Sequence, residues 1–195
     1  MGQQKLLLPW GESTLLESVL RTWLASQVTR VVVVVRHWDS AVVDLCRGFD
    51  IDLVLPPEDP VDMKASVGLG LSHIQETWSI DETDKWMLAP ADLPGLRHNI
   101  IDRVVEASLG SARIVAARYG DRRGHPILLP WRTVSEVFAL AENEGVDQIL
   151  GRHEITYVDF PHNLRPKDVD TPEQYESMRR KSTLDEGPSE PPPTG

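Results

Sequence analysis

The chain has 195 residues, 41% of them hydrophobic and 26% charged, the size and composition of one globular domain with a substantial core. Its formal net charge of −10 excludes a general nucleic-acid binder, which needs a basic face to release phosphate counterions, yet a local pocket on an acidic protein can still take a small anion. No run approaches the ~20 apolar residues that cross a bilayer, and Met1 to Lys5 lack the basic start and apolar run of a signal peptide, so the cytoplasm is the expected address.

In chain order, Thr14 to Ser26 carries apolar residues at Leu15, Leu16, Val19, Leu20, Trp23 and Leu24, a helical stripe, and Thr14 with Glu17 reads as its capping box. Arg30 to Arg36 holds an unbroken β-branched run, apolar on both faces, as in a parallel strand covered by helices on each side. Ser40 to Arg47 reads as a helix. It holds the single cysteine, Cys46, which cannot pair internally and has no activating neighbour in sequence, so a buried structural thiol is expected. Ile51 to Leu55 is a short strand, and the proline cluster from Pro56 to Pro60 a loop. Ser66 to Thr77 is helical, Lys85 to Leu88 extended, Leu96 to Leu109 helical and Arg113 to Arg118 extended. Tyr119 to Gly124 reads as a loop, Pro126 to Leu129 as a short extended piece, and Thr133 with Glu136 as a second capping pair for a helix to Ala141. After a strand at Ile155 to Phe160, Thr171-Pro172-Glu173-Gln174 opens the last helix, with threonine as cap, proline at the first helical position and glutamine closing the box. This alternation predicts a three-layer α/β/α, Rossmann-like domain over residues 1–181 with a mixed, mostly parallel sheet. Residues 182–195, rich in proline and glutamate, have almost nothing apolar to bury and are expected to be disordered.

Ligands of open α/β sheets bind beyond the carboxyl ends of the strands. Two acidic positions fall there: Asp92, in the turn braced by Pro90 and Pro94, and the pair Asp168 and Asp170 ahead of the final helix. Carboxylates on rigid turns suit Mg²⁺, a hard cation that takes oxygen ligands, although either site alone is more often an ordinary turn. Lys5 precedes the first apolar run, where its ammonium can meet a phosphate or simply be solvated. Asp62 to Leu71 opens a helix whose N-terminal amides, with Lys64 and Ser66, are placed to accept a nucleotide. Gly68 and Gly70 lie inside that helix and are not a dinucleotide fingerprint. Arg122, Arg123 and His125 form a basic loop that either holds a phosphorylated acceptor or is solvated. Six histidines without zinc spacing, one cysteine, no Gly-x-Ser-x-Gly elbow and no Walker A loop set aside zinc, hydrolase and P-loop chemistry.

Taken in order, five blocks resemble the molybdenum cofactor cytidylyltransferases and related MobA-like nucleotidyltransferases. Met1 to Pro9 is similar to the end of their signature loop, and Met63 to Leu71 to their serine-containing nucleotide helix. Ala91-Asp92-Leu93-Pro94 resembles their metal-binding Asp-x-Pro segment, and Gly124-His125-Pro126 and Asp168 to Glu173 their last two blocks. The resemblance implies Mg²⁺-dependent transfer of a nucleoside monophosphate from an NTP, CTP in preference to GTP, to a molybdopterin-type phosphorylated cofactor, with release of pyrophosphate. It implies Asp92 and Asp170 as metal ligands supported by Asp168, Lys5 on phosphate, and Lys64 and Ser66 near the nucleotide. His125 and Arg123 fall near the acceptor, and a molybdoenzyme or cofactor-delivery protein becomes a candidate partner. Such catalysis is positioning and electrostatics, with no covalent nucleophile.

Family members begin with a strand and a small-residue loop ending in Arg-Met-Gly, and here Met1-Gly2 stands where that loop closes. The resemblance therefore implies that the first strand and its phosphate-cradling amides are missing, leaving Arg30 to Arg36 and Lys85 to Leu88 without a shared partner. Either the native chain starts further upstream, or the nucleotide site is impaired and the fold serves as a cofactor-binding or chaperone module. A sugar-phosphate nucleotidyltransferase shares the same sheet and aspartate logic.

Overall fold

The computed structural model describes residues 3–169 and 171–185. Asp170, and the expected disordered tail apart from its first residues, lie outside them. A short 3-10 turn, Gln3–Leu7, leads into a two-residue antiparallel pairing of β1 (Pro9–Trp10) with β2 (Ser13–Thr14), turned by Gly11 at φ 57°. Thr14 then caps α1 (Leu15–Leu24) as expected. Its hydroxyl accepts from the Glu17 amide, and the Glu17 carboxylate accepts from the Thr14 amide.

β3 (Val32–Val34) and β4 (Asp52–Val54) pair in parallel, with α2 (Ser40–Arg47) as the crossover. α3 (Met63–Thr77) starts three residues ahead of the predicted Ser66, because the Asp62 carboxylate caps it, accepting from the Ala65 amide at 2.7 Å. Gly70 lets α3 approach β3: a Cβ there meets Val34 Cγ2 at 3.5 Å.

The second half builds one four-stranded sheet in the order β5-β7-β6-β8. Its strands are β5 (Lys85–Leu88), β6 (Ile114–Tyr119), β7 (Arg122–Pro130) and β8 (Ile155–Phe160). β7 runs antiparallel to both of its neighbours, and β8 runs parallel to β6. The sheet is mixed, as expected, with a smaller parallel share than the pattern predicts. The reason is β7: a nine-residue strand replaces the expected loop and short extended piece, joined to β6 by a tight turn at Gly120 (φ 64°). α4 (His98–Ala107) covers one face, with Ile100, Ile101 and Val104 against Val115 and Ala117. Leu71 of α3 covers the other, together with α5 (Val134–Phe138) and α6 (Asp147–Arg152).

Thr133 does not cap α5. Its hydroxyl donates to Pro130 O and accepts from the buried Trp86 indole at 3.1 Å, so a tertiary hydrogen bond replaces the expected local one. The box at Thr171 and Gln174 does form, and α7 (Pro172–Asp185) runs past the expected domain boundary at Lys181. Val169 and Tyr175 pack with Leu15 and Val19, and the Tyr175 hydroxyl donates to Pro9 O. The end of the described chain therefore clamps its beginning. No described helix is long and apolar enough to cross a membrane.

Among the described residues no strand lies between β3 and β5. A cavity of about 1450 Å³ separates them, with Val31 to Val35 on one side, Lys85 to Leu88 on the other, Leu16 and Leu20 of α1 on one face and Val67 and Leu71 of α3 on the other. β3 is parallel and has helices on both faces as its composition predicts, α1 and α2 against Val33 and Val35 and α3 against Val32 and Val34. Its edge toward the cavity has no described strand beside it, and all three of its residues are only half-buried.

Candidate active site

The cavity is bordered by four of the candidate residues. Lys5, Ser66, Asp92 and His125 all line it. Asp92 sits in the turn leaving β5, held from below by Leu93 and Leu96, which are 2% and 3% exposed, and by the Leu96 amide donating to Leu93 O. Lys5 reaches Asp92 from the 3-10 turn, Nζ to Oδ2 at 2.6 Å, a charge-assisted bond between residues far apart in sequence. The other carboxylate oxygen, Oδ1, is buried and has no hydrogen-bond partner. A buried acceptor left in this state is costly unless something occupies it. It therefore marks Asp92 as the side chain with unused ligating capacity.

His125 comes from β7. Its Nδ1 lies 3.3 Å from Leu88 O, so the neutral ring donates there and turns its unprotonated Nε2 away. Burial pushes the ring's pKa below the ordinary histidine value, and the Leu88 carbonyl, Asp168 and Asp147 oppose that shift. Gly124 is required beside it, because a Cβ there would stand 2.8 Å from Tyr119 Cε2. Tyr119 is fully buried, its hydroxyl donates to His125 O at 2.7 Å, and its ring stacks on Phe160. Tyr119 is thus a supporting residue that sequence reading misses.

The remaining candidates separate. Ser66 lies in the first turn of α3 with its hydroxyl bonded to Asp62 O at 3.2 Å. Lys64 does not point into the cavity: its ammonium binds Ala141 O and Glu142 O, fastening α3 to the segment after α5. Arg123 is likewise turned to the surface, paired with Asp147 at 2.9 Å. Asp168 is close enough to His125 to raise its pKa, while Asp170 lies outside the described residues. No group of three or more His, Cys, Asp or Glu side chains gathers as a metal site among the described residues.

A layered α/β domain with an acidic turn beyond β5, a lysine paired to it and Ser66 of α3 lining the same cavity is suited to holding a nucleotide. The profile of the MobA-like NTP transferase domain matches residues 1–156, and the chain belongs to that family. No curated protein sequence matches it. Among solved structures, Rv0371c from Mycobacterium tuberculosis H37Rv is 25% identical, with a TM-score of 0.77 over 92% of this chain and 91% of that one. The same protein is also known in a complex with manganese, at 22% identity and a TM-score of 0.73 over 92% and 93% of the two chains. The molybdopterin-guanine dinucleotide biosynthesis protein A from Archaeoglobus fulgidus has the same fold at 13% identity, with a TM-score of 0.67 over 94% and 92% of the two chains.

Proposed function

We propose that this nucleotidyltransferase moves a nucleoside monophosphate, CMP in preference to others, from an NTP to a molybdopterin-type phosphorylated cofactor. An acceptor phosphate oxygen attacks the α-phosphorus, the bond to the β-phosphate oxygen breaks, and pyrophosphate leaves. The observation that carries this reading is the Asp92 carboxylate at the cavity wall, held by Lys5 through one oxygen and unsatisfied at the other. Its hard oxygen donors fit a divalent cation, and the manganese complex of the Mycobacterium tuberculosis relative supports that choice. Asp92, with Asp170, would hold Mg²⁺, which when bound neutralises charge building on the phosphates. Lys5 supplies positive charge to the triphosphate and Ser66 borders the base and ribose. His125, oriented by Leu88 O and with its pKa lowered by burial, faces the acceptor. Lys64 and Arg123 are held in structural contacts and stand outside this set.

Pyrophosphate release measured with CTP, Mg²⁺ and the cofactor tests the proposal. Asp92→Asn is expected to reduce it by about 10²–10³-fold, the range for losing one preorganised electrostatic group. An unchanged rate in the variant, or no release with any NTP, would sink the reading. A second reading, a cofactor-binding module without turnover that delivers to a molybdoenzyme, is favoured by the open cavity between β3 and β5. It expects cofactor binding by wild type and by Asp92→Ala alike.

A further inference from the structure

Asp92 and Lys5 sit together in a way that resting stability alone does not require. With Nζ 2.6 Å from Oδ2, and Oδ1 buried and unpartnered, a cation that reaches Oδ2 meets the ammonium already there. Both side chains nevertheless remain partly exposed, 17% for Lys5 and 25% for Asp92, and both line the large cavity. The two partners differ in how firmly they are held. Asp92 is braced by the Pro90–Pro94 turn and its buried leucines. Lys5 rides on a single 3-10 turn at the end of a flexible four-carbon stem. When the pair parts, the lysine is the side that moves, and the cavity gives it room.

We propose that Lys5 is an exchangeable counter-cation. It holds the Asp92 charge while no divalent cation is bound, and it gives up the carboxylate when one arrives, freeing its ammonium for the triphosphate. Metal and lysine compete for one carboxylate, and the anionic nucleotide favours the metal by offering its phosphates to the displaced ammonium. This couples metal retention to nucleotide binding. The inference rests on the reading of Asp92 as a metal ligand, and the test separates the two.

Mn²⁺ alone, without nucleotide, is titrated against the full chain and followed by the electron paramagnetic resonance signal of the free ion, with circular dichroism confirming that each variant is folded. Lys5→Gln is expected to bind Mn²⁺ about tenfold more tightly than wild type, the scale of one charge-assisted hydrogen bond removed from competition. The same variant should show a higher KM for the NTP, an effect in the opposite direction. Lys5→Arg, which keeps and strengthens the clasp, should bind Mn²⁺ no better than wild type. Affinity in Lys5→Gln that is unchanged, weaker or undetectable overturns the exchange, because a purely structural lysine would weaken both ligands and be rescued by arginine. Asp92→Asn addresses the underlying reading: if it binds Mn²⁺ as wild type does, Asp92 is no ligand. If it loses binding while Lys5→Gln fails to gain it, only the exchange falls.

Discussion

β6 and β3 both hold short apolar runs, Ile114 to Ala117 in one and Val32 to Val34 in the other, and the runs end in opposite environments. Ile114, Val115, Ala116 and Ala117 of β6 are each at most 1% exposed, paired on both edges by β7 and β8 and covered on both faces by helices. Val32 to Val34 of β3 are half-buried, paired only with β4, and face a cavity of about 1450 Å³ on the other edge. Packed interiors hold few voids larger than a water molecule, and drug-sized ligands fill only ~300–1,000 Å³. The difference teaches that an apolar strand states what environment it prefers, while the neighbour that completes that environment is a property of the whole assembly. The candidate site spans the two regions. Asp92 and His125 belong to the complete sheet, whereas Lys5 and Ser66 stand on the elements that flank the cavity.

The contrast can be broken by mutation. Leu129→Ala, at a fully buried position in β7, should destabilise the protein by about 2–5 kcal/mol. Val33→Ala, beside the cavity, should cost about 1 kcal/mol or less, because no close-packed shell collapses around it. Equal costs in chemical denaturation would contradict the comparison. Hydrogen exchange sharpens it. The Val33 amide is expected to exchange faster than that of Val115 by at least on the order of 100-fold, since a strand paired on one edge opens locally at far less than the global free energy. Extending the chain ahead of Met1 with an apolar, β-branched segment should slow Val33 toward Val115 if a strand enters the cavity. Unchanged exchange in the extended chain would show that the cavity does not take one.

The smallest effect expected is one of pH. His125 is held neutral by burial and titrates below the ordinary histidine value. The unfolded chain therefore binds a proton that the folded chain refuses, and stability falls as pH drops below about 6.5. Asn at this position keeps a donor toward Leu88 O and removes the titration, so His125→Asn should flatten the acid-side decline in melting temperature. A decline as steep as in wild type would assign it to other groups.

How much of this was legible depended on whether the signal was local. The capping boxes at Thr14–Glu17 and Thr171–Gln174 were readable because both partners lie within one turn, and both form. The Thr133 box was not, since Trp86, 47 positions away in sequence, claims the same hydroxyl. β7 was hidden by Arg122, Arg123 and Gly124, polar or small residues that look like a loop and instead form its exposed end. In the site, Lys5 and Asp92 were each visible as a charged residue beside a strand or turn, and the fold brings them together through the α7 clamp. Lys64 carried the same kind of charge signal, yet α3 aims it at two carbonyls after α5. Tyr119 gave no signal, because its role depends on the close approach of Gly124.

On this reading the cavity wall bearing Lys5 and Asp92 transfers a nucleotidyl group. CTP labelled at the α-phosphate, incubated with Mg²⁺, the cofactor and the chain, tests it directly. The label is expected to move onto the acceptor, in step with pyrophosphate release, and Asp92→Asn to slow the movement by about 10²–10³-fold. Label that remains in CTP, or appears only as free CMP with the acceptor unmodified, would contradict it.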